Sequence, residues 1–210
     1  MKKIFLTLSL CFSVLYFTSC SEDEPVGDMK NHEYVDLGLP SGTLWATCNV
    51  GAENPEDYGE YFAWGETSPK SEYSSSNYPY LEEHWRDINF TLELKHDAAY
   101  MIWGKEWKMP TSKQFAELIN DLNTTSVWTT RNGVNGRLIT SKSNGNSIFL
   151  PAAGYRYKSD LEQTGEEGYY WTSSKGSGSD SAINVYVYSR TSYTYYCSCC
   201  CGLSIRPVRR

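Results

Sequence analysis

Residues 34–65, YVDLGLPSGTLWATCNVGAENPEDYGEYFAWG, alternate short apolar stretches with Gly, Pro and Asn. That texture predicts short strands joined by tight turns rather than helix. Downstream, residues 67–90 are polar and Ser-rich with interspersed Tyr and Trp, the composition of a long surface loop, and loops of that length are often functional. Two helices follow. Asp97 to Trp103 contains good helix formers and an apolar side, ended by Gly104. The second is better marked: Pro110 precedes Thr111 and Gln114, which make a capping-box pair, and Phe115, Leu118, Ile119 and Leu122 fall on one helical face.

The remainder is strand-like. Residues 137–140, 147–150, 169–171 and 182–188 are β-rich runs separated by Asn-Gly, Lys-Ser-Asn-Gly-Asn and Gly-Ser-Gly-Ser. In the last run, side-chain alternation puts Ile183, Val185 and Val187 on one face and Asn184, Tyr186 and Tyr188 on the other. Strands, two helices and strands again predict an α+β fold with mixed, mostly antiparallel sheets and long loops.

The chain has 210 residues and a formal net charge of −6, with 17 Tyr and 7 Trp. No Lys/Arg-rich run occurs apart from Arg209-Arg210, so a nucleic-acid partner is not expected. At the amino end, Lys2 and Lys3 precede an apolar run from Ile4 to Phe17, and small residues then lead to Cys20. The run is shorter than the roughly 20 apolar residues of a membrane span. It predicts a signal peptide over residues 1–19, with Cys20 as the lipid-bearing residue of an anchored protein. Residues 20–32 read as an acidic, polar tether, and residues 33–210 as one domain. The run Ser21 to Glu24 is similar to the surface-export signal of Bacteroidetes lipoproteins, which implies an outer-membrane, cell-surface location.

The sequence carries few catalytic patterns. There is no H-E-x-x-H, G-x-S-x-G or phosphate-binding glycine loop, and His32, His84 and His96 lie in no recognisable catalytic frame. Adjacent acids at Glu82-Glu83 and Glu166-Glu167 face apart on one chain and read as solvated charge. No cofactor is expected.

The strings YVDLGLPSGTLWATCNVGA from Tyr34, DAAYMIWGKEWKMPT from Asp97, IFLPAAGYR from Ile148, GYYWTSS from Gly168 and GLSIRPV from Gly202 occur in that order. Together they resemble the Fibrobacter succinogenes major paralogous domain family, over roughly residues 33–209. That resemblance implies a C-type lectin-like fold with paired terminal strands and two flanking helices, and more remotely a likeness to formylglycine-generating enzymes. It implies no activity. The lectin calcium triplets are absent, and Asp57 and Glu60 read as solvated loop acids.

The cysteines raise a second chemistry. If residues 197–201 form a strand, Cys197, Cys199 and Cys201 share a face and are the candidates for a soft metal, although C-x-C-C-C is not the usual zinc chelate. The terminal-strand pairing implied by the family makes a bridge from Cys48 to one of these cysteines an expectation. Trp45, Trp64, Trp103, Trp107 and Trp171 are assigned to the core. For ligand binding, Tyr73, Tyr78, Tyr80 and Trp85 of the long loop are the candidates, and Tyr186, Tyr188, Tyr193, Tyr195 and Tyr196 crowd the last strands. The expected function is a membrane-anchored binding module for a glycan or an envelope protein. Its rivals are a cysteine-oxidising enzyme of the formylglycine-generating type and a structural component of the cell envelope.

Overall fold

The computed structural model describes residues 31–80 and 91–210. The signal peptide, Cys20, most of the tether and Trp85 therefore lie outside the described residues. In chain order the elements are β1 (Tyr34–Asp36), β2 (Leu44–Ala46), α1 (Ala98–Trp103), α2 (Ser112–Leu118), β3 (Thr124–Arg131), β4 (Val134–Ser141), β5 (Ser147–Pro151), β6 (Tyr155–Tyr157), β7 (Asp160–Glu162), β8 (Glu167–Lys175), β9 (Ser181–Tyr188), β10 (Ser192–Ser198) and β11 (Val208–Arg209). They form sheets of order β1-β2-β11, β3-β4-β5 and β10-β9-β8, with a β6-β7 ribbon, and all of these strand pairs are antiparallel. The fold is α+β. Among the described residues, no helix is long and apolar enough to cross a membrane.

Local chemistry accounts for the elements. Thr111 Oγ1 accepts from Gln114 N–H while the Gln114 side chain accepts from Thr111 N–H, the reciprocal bonding that the capping box predicts. The helix is shorter than the apolar spacing suggests: it ends at Leu118, and Leu122 is 85% exposed. The β3–β4 hairpin turns at Asn132-Gly133, both at positive φ, as a tight Asn-Gly turn requires.

Two apolar clusters fill the interior. One gathers Phe115 and Leu118 of α2 with Tyr170, Val185 and Val187 from one face of the β8–β10 sheet. The other contains Trp64, Trp103, Trp107, Trp171 and Leu203, and with Trp45 in the first cluster all five assigned tryptophans are buried. The closing segment contributes to both, with Cys199, Leu203 and Ile205 in the second and Val208 in the first. Residues 199–208 are buried without interruption, and their backbone bonds reach Trp64, Phe62, Arg156, Val50 and Ala46. Arg206 lies wholly inside, donating to Asn49 Oδ1 at 2.8 Å and to the carbonyls of Ala46 and Thr47.

Candidate functional site

The loop tyrosines do not form an exposed platform. Tyr73 and Tyr78 are buried in the core, where their hydroxyls donate to the carbonyls of Tyr61 and Trp64. The reason is backbone pairing: Tyr73 exchanges hydrogen bonds with Lys158, which draws the polar segment inward and turns the Tyr73 ring toward Gly202. Tyr80 is half-buried, edge-on to Tyr78 at 5.8 Å and to His96 at 4.9 Å.

The cysteine row is also corrected. β10 ends at Ser198, so Cys197 is on the strand while Cys199 to Cys201 enter a turn closed by Cys201 N–H to Ser198 O at 3.0 Å. All five described cysteines are free, and Cys48 directs its thiol to Ala52 O at 3.3 Å instead of bridging. Burial pushes the Cys199 thiol up to about 12, and a hydrogen bond to Cys197 does the same for Cys201. Thiols so held are neutral and weakly nucleophilic. Among the described residues, no group of three or more His, Cys, Asp or Glu side chains is arranged to hold a metal ion.

The aromatic surface lies elsewhere, on the second face of the β8–β10 sheet. Register sets Tyr169 opposite Tyr186 and Tyr186 opposite Tyr193, one ring from each strand. Because alternate residues share a face, Tyr188 and Tyr195 extend this row, and Tyr155 of β6 packs edge-on against Tyr169. Neighbouring rings in this six-tyrosine ladder stand 4.9 to 6.2 Å apart. Its outer end is open to water: Tyr193 is 41% and Tyr195 59% exposed.

Glu167 anchors the inner end. Its carboxylate accepts from Tyr169 Oη at 2.6 Å and from Tyr186 Oη, so it is engaged with the ladder rather than simply solvated. Burial first and this carboxylate second push both phenols well above their ordinary range, so they remain protonated donors. The hydroxyls of Tyr188, Tyr193 and Tyr195 have no protein partner among the described residues. The arrangement offers flat apolar ring faces held in fixed orientation, edged by free hydroxyls. Sequence spacing contained part of this signal in Tyr186-x-Tyr188 and Tyr193-x-Tyr195, but the role of Glu167 depends on the strand register.

A cleft of about 740 Å³ beside α2 is lined by charges of both signs, among them Lys105, Glu106, Lys108, Lys113, Glu117 and Arg209. Arg209 pairs with Glu106 at 2.9 Å and Glu117 accepts from Ser41, so part of this polarity serves the protein itself.

No curated protein and no solved structure matches the chain. A family model described as "Domain of unknown function (DUF8237)" matches residues 93–208, a span that includes the three strands of the tyrosine face, and the chain belongs to that family.

Proposed function

We propose that the protein is a binding module that takes up neutral carbohydrate on the tyrosine face of β8–β10, displayed at the outer-membrane surface by a lipid on Cys20. The ladder carries this reading. Large aromatic side chains are normally spent on the core, yet here Tyr193 and Tyr195 stand half-exposed in line with four others. Sugar rings present apolar C–H faces and equatorial hydroxyls, which suit stacking on phenol rings and hydrogen bonding to their free oxygens. The bonds to Glu167 hold two of the rings before any ligand arrives, which reduces the ordering cost of binding.

The finer fold assignment belongs to the same proposal. Five ordered sequence blocks support membership of the Fibrobacter succinogenes major paralogous family and a C-type lectin-like fold. β1 and β11 do not pair with each other as that fold implies but flank β2, so what supports the assignment is that both ends of the chain share one sheet. In this reading the ligand face is a sheet of tyrosines and not a calcium loop.

Oligosaccharide-array binding by the full chain in detergent tests the proposal, with Tyr193→Ala and Tyr195→Ala compared at equal concentration. Each substitution should weaken binding about tenfold, the loss of one stacked aromatic contact, while leaving the melting temperature unchanged. The absence of any neutral oligosaccharide above background, or full binding by the double variant, rejects it.

A further inference from the structure

Among the described residues, the outer strand of the tyrosine sheet has one long side without a partner. β10 pairs with β9 alone, and no described residue bridges to its other edge. Two hydrogen bonds fix which groups face outward. Tyr188 N–H donates to Thr191 O at 3.1 Å and Cys199 N–H donates to Asp180 O at 2.8 Å, so both pairs are of the hydrogen-bonded kind. Counting inward from either end, Tyr193, Tyr195 and Cys197 turn their backbone groups toward β9. Ser192, Thr194 and Tyr196 therefore turn theirs out, and none of them bonds elsewhere in the described residues.

Proteins usually protect such an edge with a charge, a proline or a bulge. This one carries none of them. Ser192–Ser198 reads SYTYYCS, uncharged and rich in strand-forming residues, and it runs in unbroken register with β9. Three of its side chains, Tyr193, Tyr195 and Tyr196, are between 41% and 59% exposed. The charges sit only at its two ends: Arg190 at the start and Asp180, beside Cys199, at the finish. Both are exposed, and neither is ion-paired among the described residues.

We infer that β10 is the seat of a second copy of this chain, joined by antiparallel β10–β10 pairing about a two-fold axis at Tyr195. In that register the outward groups of Thr194 meet those of Tyr196 in the other copy on both sides of the axis, while Ser192 lies opposite Ser198, whose carbonyl already accepts from Cys201 N–H. Tyr195 faces its own equivalent as a cross-strand aromatic pair, and Tyr193 faces Cys197. An isologous contact of this kind needs a self-complementary edge, which an uncharged strand with opposite charges at its two ends provides. Antiparallel pairing brings Arg190 of each copy to the Asp180 end of the other. The result is one continuous six-stranded sheet whose two tyrosine ladders join at the axis. The dimer adds to the carbohydrate reading but does not depend on it, because its test involves no ligand.

Sedimentation of the full chain in density-matched detergent, over a range of protein concentrations, tests the inference. The wild type should pass from monomer to dimer. Thr194→Pro removes an outward N–H and leaves the bonds to β9 intact, so it should raise the dissociation constant about tenfold or more at unchanged melting temperature. Thr194→Lys serves as a second blocking variant should the proline disturb folding. Arg190→Asp should weaken the dimer, and adding Asp180→Arg should restore it. A wild type that stays monomeric, or a folded Thr194 variant that dimerises as tightly as the wild type, overturns the proposal. Failure of the charge swap to restore association overturns the antiparallel register.

Discussion

Two buried charged side chains show how single residues hold the interior together. Arg206 solvates itself on the Asn49 amide and the carbonyls of Ala46 and Thr47, so it ties the closing segment to the first strands without a carboxylate among those partners. Asp97 caps α1, accepting from Tyr100 N–H at 3.1 Å and from Met109 N–H at 2.9 Å. Those bonds favour the ionised form, but burial outweighs them and raises its pKa from 3.8 to about 6. The folded state thus keeps a proton that the unfolded chain has already released between those two values. The stabilising contribution is complete below pH 3.8 and is lost as pH rises through about 6. Over that window the wild type should lose up to about 3 kcal/mol relative to Asp97→Asn, whose amide oxygen can still cap the helix. Urea unfolding of both chains at a series of pH values measures the difference, and a difference that stays flat with pH refutes the assignment. The sequence marked Asp97 only as the start of a helix. Its second acceptor role reaches twelve residues away to Met109, which no local pattern encodes.

At the scale of elements, what periodicity and punctuation govern could be read from the sequence, and what long-range pairing governs could not. The capping box at Thr111, the Asn-Gly hairpin and the five core tryptophans follow from local rules. By contrast, the Ser-rich stretch after Thr67 looks like solvated loop because its neighbours are polar. Tyr73 is nevertheless pulled inside by its bridge to Lys158 and by the space above Gly202. That space is tight: a Cβ built on Gly202 would lie 2.6 Å from the Tyr73 ring. Gly202 is not among the residues at positive φ, so the demand is for room and not for backbone freedom. Gly202→Ala should therefore cost about 1–3 kcal/mol through displacement of the ring. In a Tyr73→Leu background the same substitution should cost much less, since the smaller side chain yields. A double-mutant cycle by thermal or urea unfolding measures the coupling, and additive costs would show that Tyr73 is not what Gly202 accommodates.

For the whole molecule, the decisive feature is the path of residues 199–208. Their backbone partners lie in both halves of the sequence: Phe62, Trp64, Val50 and Ala46 on one side, and Arg156, Lys108 and Tyr169 on the other. Trp64 Nε1 donates to Thr172 O, and Trp171 Nε1 returns the exchange to Phe62 O, so the two halves are also sewn together by buried indoles. The family match covers residues 93–208 and leaves out β1, β2 and the 49–64 segment, and with them the partners Ala46, Val50, Phe62 and Trp64. A fragment of residues 93–208 would leave the buried carbonyls of Cys199, Leu203, Ile205 and Pro207 without their N–H partners. Losing these bonds costs on the order of 1 kcal/mol each, and losing the cover of Trp45, Phe62 and Trp64 opens both apolar clusters to water, which together approach the total stability of an ordinary domain. The fragment alone should therefore show no cooperative thermal transition and no near-ultraviolet tryptophan signal, whereas the full chain shows both. Co-expression with residues 31–92 should restore the signal, because the missing partners are then supplied in trans. A cooperative melt from the isolated fragment would mean that the tyrosine sheet and its helix make a self-sufficient unit, with the described residues before 93 laid over a core already formed.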